Sequence, residues 1–157
     1  KTAQLLQHHC VISNVRMILD KETDATIMCD ENQIQQALVA LCVNAVEAMP
    51  EGGTLTVEAR QSADDDTIVL TVSDTGVGIV PEDIPHIFEP FFTTKKDGKG
   101  VGLGLSVVYG IVERHGGKIS VRSKPSGGTS FTLELPRVMT RPQAPEESEH
   151  MMKAGVE

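Results

Sequence analysis

Apolar residues recur along this chain with two different spacings, and the helical spacing is clearest in two segments. The first predicts a helix over residues 31–49, with an apolar stripe that would pack on a core. Asp30 and Gln33 form the pattern of a capping box at its start, and Pro50-Glu51-Gly52-Gly53 provides its end. The second predicts a helix over residues 103–115, with apolar positions 105, 108, 109 and 112 and a glycine pair after its last turn.

Alternating apolar and polar residues, rich in β-branched side chains, predict strands elsewhere. Two hairpins are expected, formed by residues 54–59 with 67–73 and by residues 118–123 with 129–135. Weaker patterns predict a helix over 2–11, strands over 15–19 and 26–29, a short helix over 81–88 and a loop over 89–99.

The size and charge of the chain exclude several classes of protein. Its 157 residues are enough for about one domain. Acidic residues outnumber basic ones by 22 to 14, which argues against a nucleic-acid or anionic-membrane surface. The longest apolar run, residues 37–43, is too short to span a bilayer, and no secretory signal opens the chain, so we expect a soluble, cytoplasmic protein. Three widely spaced cysteines, at positions 10, 29 and 42, are expected to be reduced core thiols.

Asp74 follows a predicted buried strand and precedes two glycines, Gly76 and Gly78. A buried carboxylate needs hydrogen-bond donors, and the exocyclic amine of adenine is a suitable one, whereas guanine presents a carbonyl at the same position. The glycines would let the backbone approach the base closely. Taken alone, the motif fits a turn at the end of a strand with no ligand better than it fits a base-binding site.

A second glycine cluster, Gly100-Val101-Gly102-Leu103-Gly104-Leu105, runs into the predicted helix 103–115. Consecutive small residues at the positive end of a helix expose backbone N–H groups, which makes the cluster a candidate phosphate cradle. It is not a Walker motif, because no Gly-Lys-Ser or Gly-Lys-Thr follows. A flexible loop before a helix is the alternative.

Asn44, Glu47 and a group of phenylalanines each have both a structural and a functional interpretation. Asn44 stands on the apolar ridge of helix 31–49, where it is either a Mg²⁺ ligand or a core residue bonded to a strand. Glu47 could orient a metal-bound water or be an ordinary solvated glutamate. Three of the four phenylalanines, at positions 88, 91 and 92, lie in one predicted loop, which is either anchored by them or forms a mobile flap.

Taken together, these motifs resemble the catalytic ATP-binding domain of bacterial sensor histidine kinases, within the wider superfamily of gyrase, chaperone and mismatch-repair ATPases. Over about residues 14–136 the sequence motifs follow the order of the family's boxes: Asn44-Ala45, Asp74-x-Gly76-x-Gly78, Phe88-Glu89-Pro90-Phe91-Phe92, Gly100-x-Gly102-x-Gly104 and Gly127-Gly128-Thr129.

The resemblance implies an α/β (α+β) two-layer sandwich, in which a mixed, mostly antiparallel sheet of about five strands is covered on one face by about three helices. Residues 14–136 would form the ATP-binding kinase domain, preceded by an N-terminal helix or linker, residues 1–13, from missing dimerisation helices. Residues 137–157 are expected to be a polar linker or disordered tail. The chain begins with Lys, and we expect it to be a piece of a longer protein.

The resemblance also assigns site residues. Asn44 would hold Mg²⁺, Asp74 would accept from the adenine amine and Thr129 would support Asp74 through water. The base would be lined by Gly76 and Gly78. The phosphates of ATP would be held by Gly100, Gly102, Leu103, Gly104 and Leu105, and Lys95 would reach the γ-phosphate.

The implied reaction is transfer of the ATP γ-phosphoryl group to a histidine. That histidine would lie on a dimerisation and phosphoacceptor domain of the same parent protein, since nothing around His8-His9 resembles its usual sequence. A response regulator receiver domain would be the next partner. Many members have a second Asn at the position of Ala40, and hydrolytic relatives have a catalytic Glu there, so Ala40 favours transfer over hydrolysis. A clamp-type hydrolysing ATPase and a degenerate nucleotide-binding scaffold are the alternatives.

Overall fold

The computed structural model describes residues 2–94, 102 and 104–138, and within these one five-stranded sheet is combined with three α-helices. Predictions that concern Lys95, Gly100, Leu103 and the tail beyond residue 138 lie outside the described residues. In chain order the elements are α1 (Thr2–Ile12), β1 (Val15–Lys21), α2 (Glu31–Glu47), β2 (Gly53–Gln61), β3 (Thr67–Asp74), α3 (Gly104–Arg114), β4 (Lys118–Ser123) and β5 (Thr129–Pro136). This confirms the predicted fold class and both predicted hairpins.

The sheet is mixed, with the order β1-β2-β3-β5-β4. Only β1 and β2 are parallel, and the other three pairs are antiparallel. The register of β3 and β5 places Asp74 directly opposite Thr129. Residues that are 55 positions apart in the sequence therefore meet at one end of the sheet.

The core lies between the helices and one face of the sheet. Along β5 the residues Thr129, Phe131, Leu133 and Leu135 are buried in alternation, and their partners on β3 include the buried Val72 and Ile68. The helices contribute Leu6 and Cys10 from α1, Ala37 and Leu41 from α2, and Val108 and Val112 from α3. Cys10 and Cys42 are free, buried thiols and Cys29 is a free, half-buried one, so no two of the three are joined in a disulfide. Burial raises the pKa of the Cys42 thiol to about 12, so this sulfur stays protonated and unreactive at neutral pH.

Helix α2 begins as predicted, but its cap differs in one detail. The Asp30 carboxylate accepts a hydrogen bond from the Gln33 backbone N–H at 3.1 Å. In a capping box the side chain of Gln33 would bond back to the Asp30 N–H. Here that N–H donates to His115 Nε2 at 3.0 Å, and the Gln33 amide instead donates to the Asp30 carboxylate. The start of α2 is thus tied to the end of α3.

The predicted strand over residues 26–29 is absent. The segment has no ladder partner, and the Met28 N–H donates to the carbonyl of Arg137, beyond the last residue of β5. Because β5 is already paired on both sides, by β3 and β4, this segment cannot pair with β5 and contacts only the residue that follows it.

The predicted helix over residues 81–88 is also wrong, since these residues form turns around a three-residue 3₁₀ helix, Ile84–His86. Pro85 explains the difference: its ring would clash with the carbonyl four residues earlier, and it has no N–H to donate. A smaller correction concerns α3, where Tyr109 is 40% exposed and Ile111 is buried in its place. Among the described residues, no helix has the length and apolar character needed to cross a membrane.

Candidate functional site

A cavity of about 1140 Å³ opens along α2 and against the ends of β3 and β5. Most of the sequence-predicted site residues that the structure describes line it: Asn44, Asp74, Gly78, Gly102, Gly104, Leu105 and Thr129. The other lining residues are mainly on α2, with further contributions from residues 77–79, Ile87 and residues 92–94. The cavity therefore joins the two glycine clusters to the asparagine of the long helix.

Asp74 is the buried carboxyl group of this cavity. Its Oδ1 accepts hydrogen bonds from the backbone N–H of Gly76 at 2.8 Å and of Thr129 at 3.3 Å. Among the described residues no donor is bonded to Oδ2, so that oxygen is available to a ligand in the cavity. Burial raises the pKa of the Asp74 carboxyl above its usual range, although the two N–H donors act in the opposite direction.

The segment after Asp74 is fixed by the turn between β4 and β5. The Gly76 carbonyl accepts from the Gly128 N–H at 3.1 Å, and the Val77 carbonyl accepts from the Ser126 N–H at 2.7 Å. The Ile79 N–H donates to Ser123 Oγ at 2.8 Å. These bonds hold the wall of the cavity beside the carboxylate in one conformation.

Gly76 and Gly78 make close backbone contacts with the protein itself. A Cβ on Gly76 would overlap the carbonyl oxygen of Ala48, the residue that caps the C-terminus of α2. A Cβ on Gly78 would overlap the Lys124 carbonyl oxygen, and Gly78 also has a φ of +71°, which favours glycine. Gly78 lines the cavity, whereas the described contact of Gly76 with this site is its N–H bond to the Asp74 carboxylate.

The two described glycines of the second cluster differ from each other, since a Cβ on Gly102 would overlap backbone atoms of Phe91 and Phe92. Gly102 has a φ of +72°, and its carbonyl accepts the Phe91 N–H at 2.9 Å, which ties the start of α3 to the phenylalanine segment. Gly104 is the first residue of α3, and among the described residues outside its own turn of helix no atom lies within 4 Å of a Cβ placed there. The open space in front of Gly104 leaves the N-terminal end of α3 accessible from the cavity.

Helix α2 lines the cavity along one face. The ridge Gln36, Ala40, Asn44 and Ala48, spaced by four residues, faces it, and Glu47 lies on the neighbouring ridge. Asn44 is half-buried and Glu47 is exposed. Ala40 places a methyl group, with no polar atom, one turn before Asn44.

The three phenylalanines of the predicted loop have different environments. Phe88 packs against Tyr109 and Phe131, with ring centroids 5.6 and 6.3 Å apart, and so anchors its end of the loop. Phe92 lines the cavity. Phe91 is 72% exposed and has a φ of +65°, a conformation that is uncommon for a bulky residue.

Ser123 is the residue of this site that the sequence pattern did not single out. A serine just before a Pro-Ser-Gly-Gly turn is typical of turn chemistry. The available signal was positional: Ser123 ends β4 and pairs with Thr129 in the register of β4 and β5. Its hydroxyl is 2.8 Å from Thr129 Oγ1.

Comparison with known proteins agrees with this geometry. Residues 29–139 match the family described as "Histidine kinase-, DNA gyrase B-, and HSP90-like ATPase". The chain belongs to this family. The sensor histidine kinase ZraS of Salmonella typhi is 46% identical over 122 residues, which are 78% of this chain and 25% of that protein. The sensor kinase CckA of Brucella abortus is 40% identical over 155 residues, covering 90% of this chain and 16% of the relative.

Solved structures identify the same part of such proteins. The catalytic domain of histidine kinase ThkA superposes with a TM-score of 0.77 at 30% identity and covers 87% of this chain and 90% of that one. Full-length ShkA in complex with AMPPNP gives a TM-score of 0.77 at 27% identity over 90% of this chain and 29% of that one. ThkA in complex with the response regulator protein TrrA gives 0.72 at 28% identity, over 87% and 38%. The chain thus corresponds to the catalytic domain of histidine kinases and spans about a quarter or less of the two curated relatives.

Proposed function

We propose that this chain binds Mg-ATP in the cavity along α2 and, within its parent protein, transfers the γ-phosphoryl group to a histidine on a separate dimerisation domain. The observation that carries the proposal is Asp74, a buried carboxyl whose two backbone donors both bond Oδ1 while Oδ2 is left to the cavity. The family membership and the similarity to histidine kinase catalytic domains support the same reading.

The base end of the cavity suits adenine. An ionised Oδ2 of Asp74 accepts a hydrogen bond from an exocyclic amine and repels a carbonyl, so a 6-oxo purine leaves a buried group unpaired. Val77, Gly78 and Ile79 provide the adjoining wall, whose backbone is fixed by the β4–β5 turn. The selectivity is then a property of a rigid site and requires no movement of the carboxylate.

The phosphate end is formed by the start of α3. The first backbone N–H groups of a helix lack partners within the helix and lie at its positive end, where they bind phosphate oxygens. Gly102 and Gly104 line the cavity here, and the open space at Gly104 admits a phosphate group without a side chain in the way. Gly100, Leu103, Leu105 and Lys95 are proposed to complete this end.

Asn44 is the proposed protein ligand of Mg²⁺. A side-chain amide oxygen suits this hard cation, which commonly takes few protein ligands and completes its shell with water and phosphate oxygens. The described residues contain no cluster of three or more His, Cys, Asp or Glu side chains that could hold a metal, which fits a cation carried mainly by the nucleotide. The cation would neutralise the charge that develops on the transferred phosphoryl group.

The proposed acceptor and partners lie outside this chain. Ala40 offers no base to activate water one turn before Asn44, and this favours transfer to a partner over hydrolysis. We infer that the acceptor histidine is on the dimerisation helices of the parent protein and that a response regulator receiver domain takes the phosphoryl group next. ThkA has been solved in complex with the response regulator protein TrrA, which supports a response regulator as a partner.

Phosphotransfer is tested with γ-³²P-labelled ATP and Mg²⁺, using the chain alone and the chain mixed with the dimerisation helices of its parent protein. Label is expected on the added helices only, and a variant of those helices without the acceptor histidine should remain unlabelled. Label on a histidine of this chain alone would contradict the assignment of the acceptor. Steady release of inorganic phosphate without phosphohistidine would favour the clamp-type ATPase.

A further inference from the structure

Ser123, the last residue of β4, is bonded to three groups around the base end of the cavity. Its Oγ accepts from the Ile79 N–H at 2.8 Å and is 2.9 Å from the Gly128 carbonyl oxygen. The third partner is Thr129 Oγ1, at 2.8 Å. Thr129 is 5% exposed and lines the cavity, whereas Ser123 does not. Ser123 can therefore influence a bound base only through these neighbours.

The direction of each hydrogen bond follows from the chemistry of the partners. A serine hydroxyl has one proton to donate and two lone pairs that accept. The Ile79 N–H can only donate, so it takes one lone pair, and the Gly128 carbonyl can only accept, so it takes the proton of Ser123. One lone pair then remains for Thr129, which must be the donor in this bond.

This arrangement fixes the polarity of Thr129. Its hydroxyl proton is directed at Ser123, so the oxygen of Thr129 presents only lone pairs to the cavity. The ionised Asp74 carboxylate, whose Oδ1 is 3.3 Å from the Thr129 backbone N, also only accepts. The base end of the cavity thus combines two side chains that accept hydrogen bonds and cannot donate them.

We propose that Ser123 is a positioning residue that holds Thr129 as a hydrogen-bond acceptor and thereby strengthens the preference of the site for a 6-amino purine over a 6-oxo purine. The inference rests on the proposed nucleotide site and adds to it the means of base selection. An exocyclic amine supplies two N–H donors, directly or through a bridging water, to a site that only accepts. A 6-oxo group would need a donor, and Thr129 has none to offer while Ser123 holds its proton.

The test compares the affinities of Mg-ADP and Mg-IDP by calorimetric titration, because the two nucleotides differ only on the Watson–Crick edge of the base: position six carries an amine or a carbonyl, and N1 accepts a hydrogen bond in adenine and carries a hydrogen in hypoxanthine. The difference at N1 is the same for every variant, so a change in the affinity ratio between variants reports a change in the site. In Ser123→Ala the Thr129 hydroxyl is free to rotate and donate to the carbonyl of IDP. The ratio of the two affinities should then narrow by about three- to ten-fold, the effect of roughly one hydrogen bond. The control is Ser120→Ala, an exposed serine on the same strand, which should leave the ratio unchanged.

A double-mutant cycle with Thr129→Val separates a positioning role from a merely structural one. Thr129→Val should by itself narrow the ratio of the affinities for ADP and IDP. Adding Ser123→Ala to it should narrow this ratio no further, because no Thr129 hydroxyl remains to be oriented. Independent effects of the two changes on the ratio would overturn the proposal.

An equal loss of affinity for ADP and IDP in Ser123→Ala would also overturn it, since that result describes general loosening of the wall at Ile79. If Ser123→Ala does not fold, Ser123→Cys replaces it, because a thiol is a weak donor and acceptor of similar size. If a folded Ser123 variant keeps the ADP-to-IDP affinity ratio of the unaltered protein, the role of Ser123 is refuted and the proposed nucleotide site still stands. Failure of the unaltered protein to bind either nucleotide refutes the proposed function itself.

Discussion

At the scale of single residues, glycines with the same appearance in the sequence have different reasons to be glycine. Gly78 has a positive φ, and a Cβ there would overlap the Lys124 carbonyl oxygen. Gly104 has open space around the position of a Cβ. The first is required by the packing of the protein, whereas the second leaves room for a ligand.

Substitution by alanine should separate these two roles. Gly78→Ala is expected to destabilise the fold by more than about 1 kcal/mol, since the native φ is unfavourable for alanine and the backbone must move. Gly104→Ala should keep or slightly raise the thermal stability, because alanine is the better helix former. It should nevertheless weaken binding of ADP and leave binding of adenosine, which has no phosphates, unchanged. Equal losses for ADP and adenosine would contradict the placement of the phosphates at α3.

Asp74 gives a prediction for the dependence of binding on pH. Burial raises the pKa of its carboxyl, and in the protonated form Oδ2 carries a proton and is no longer purely an acceptor. The affinity for ADP should fall as the pH drops through this raised pKa, in the interval above the ordinary carboxyl value of about 4. Titrations at decreasing pH check this, with Asp74→Asn as the control that reveals any pH effect from other groups.

Over the same pH interval the free energy of unfolding should change in the opposite direction to the ADP affinity, so it should rise as the pH drops. Because the folded pKa of Asp74 lies above the unfolded one, the contribution of this group to stability is complete below the unfolded pKa and is lost as the pH rises through the folded pKa. A carboxylate that costs stability while ionised is consistent with a residue retained for binding. If ADP affinity rose on acidification, the ionised carboxylate would not be the acceptor.

At the scale of secondary structure elements, His115 joins α2 and α3, two helices that both contribute residues to the cavity. Its Nδ1–H donates to the Ile111 carbonyl at 2.7 Å, and its Nε2 accepts the Asp30 N–H at 3.0 Å, so the imidazole is neutral in this arrangement. The side chain is buried, at the end of α3. Through it, the last turn of α3 helps to cap the first turn of α2.

Loss of this link should be measurable as lost stability. His115→Leu leaves the Asp30 N–H without a partner and is expected to lower the free energy of unfolding by about 1–3 kcal/mol. Denaturant unfolding followed by circular dichroism provides the measurement. His8→Leu, at an exposed position on α1, is the matched control and should have little effect. Equal stability of the two variants would show that the link is not important for the fold.

The elements that could be predicted from the sequence are those whose pattern is local. The stripe of α2, the Asp30 cap and the alternation of β2, β3, β4 and β5 depend only on neighbouring residues, and the structure confirms them. The segment 26–29 has the residues of a strand, but it contacts the chain just beyond β5, a strand already paired on both sides, and this depends on the whole sheet. The bond between His115 and Asp30 likewise depends on a contact between residues 85 positions apart.

The residues of the candidate site could be predicted to the same degree as the secondary structure elements. Asp74 and Asn44 could be selected because they stand out chemically in their segments, whereas Thr129 was assigned through the family resemblance. The structure brings all three to one cavity. The role of Ser123 could not be read from its segment, since it depends on three partners contributed by the loop after β3, the β4–β5 turn and β5. The protein contacts of Gly76 and Gly78 were also hidden, because the sequence shows that a residue is small but not what lies next to it.

At the scale of the whole molecule, the fold assembles one site from distant parts of the chain. Helix α2 contributes Asn44, β3 contributes Asp74, α3 begins with Gly104 and β5 begins with Thr129. The mixed sheet makes this possible because its antiparallel register brings the end of β3 opposite the start of β5. The central claim that follows is that one buried carboxylate selects the base of the nucleotide.

The most direct test of this claim is calorimetric titration of Mg-ADP and Mg-IDP into the unaltered protein and into Asp74→Asn. Since both backbone donors bond Oδ1, an asparagine should keep its oxygen there and turn its NH₂ group toward the cavity. The unaltered protein should bind ADP more tightly than IDP. In Asp74→Asn the ratio of the two affinities should fall by about ten-fold or more, so that the preference is lost or reversed, because a buried hydrogen bond is replaced by an unpaired donor. Asp20→Asn, at an exposed position on β1, should behave like the unaltered protein. An unchanged preference for ADP in Asp74→Asn would contradict the account.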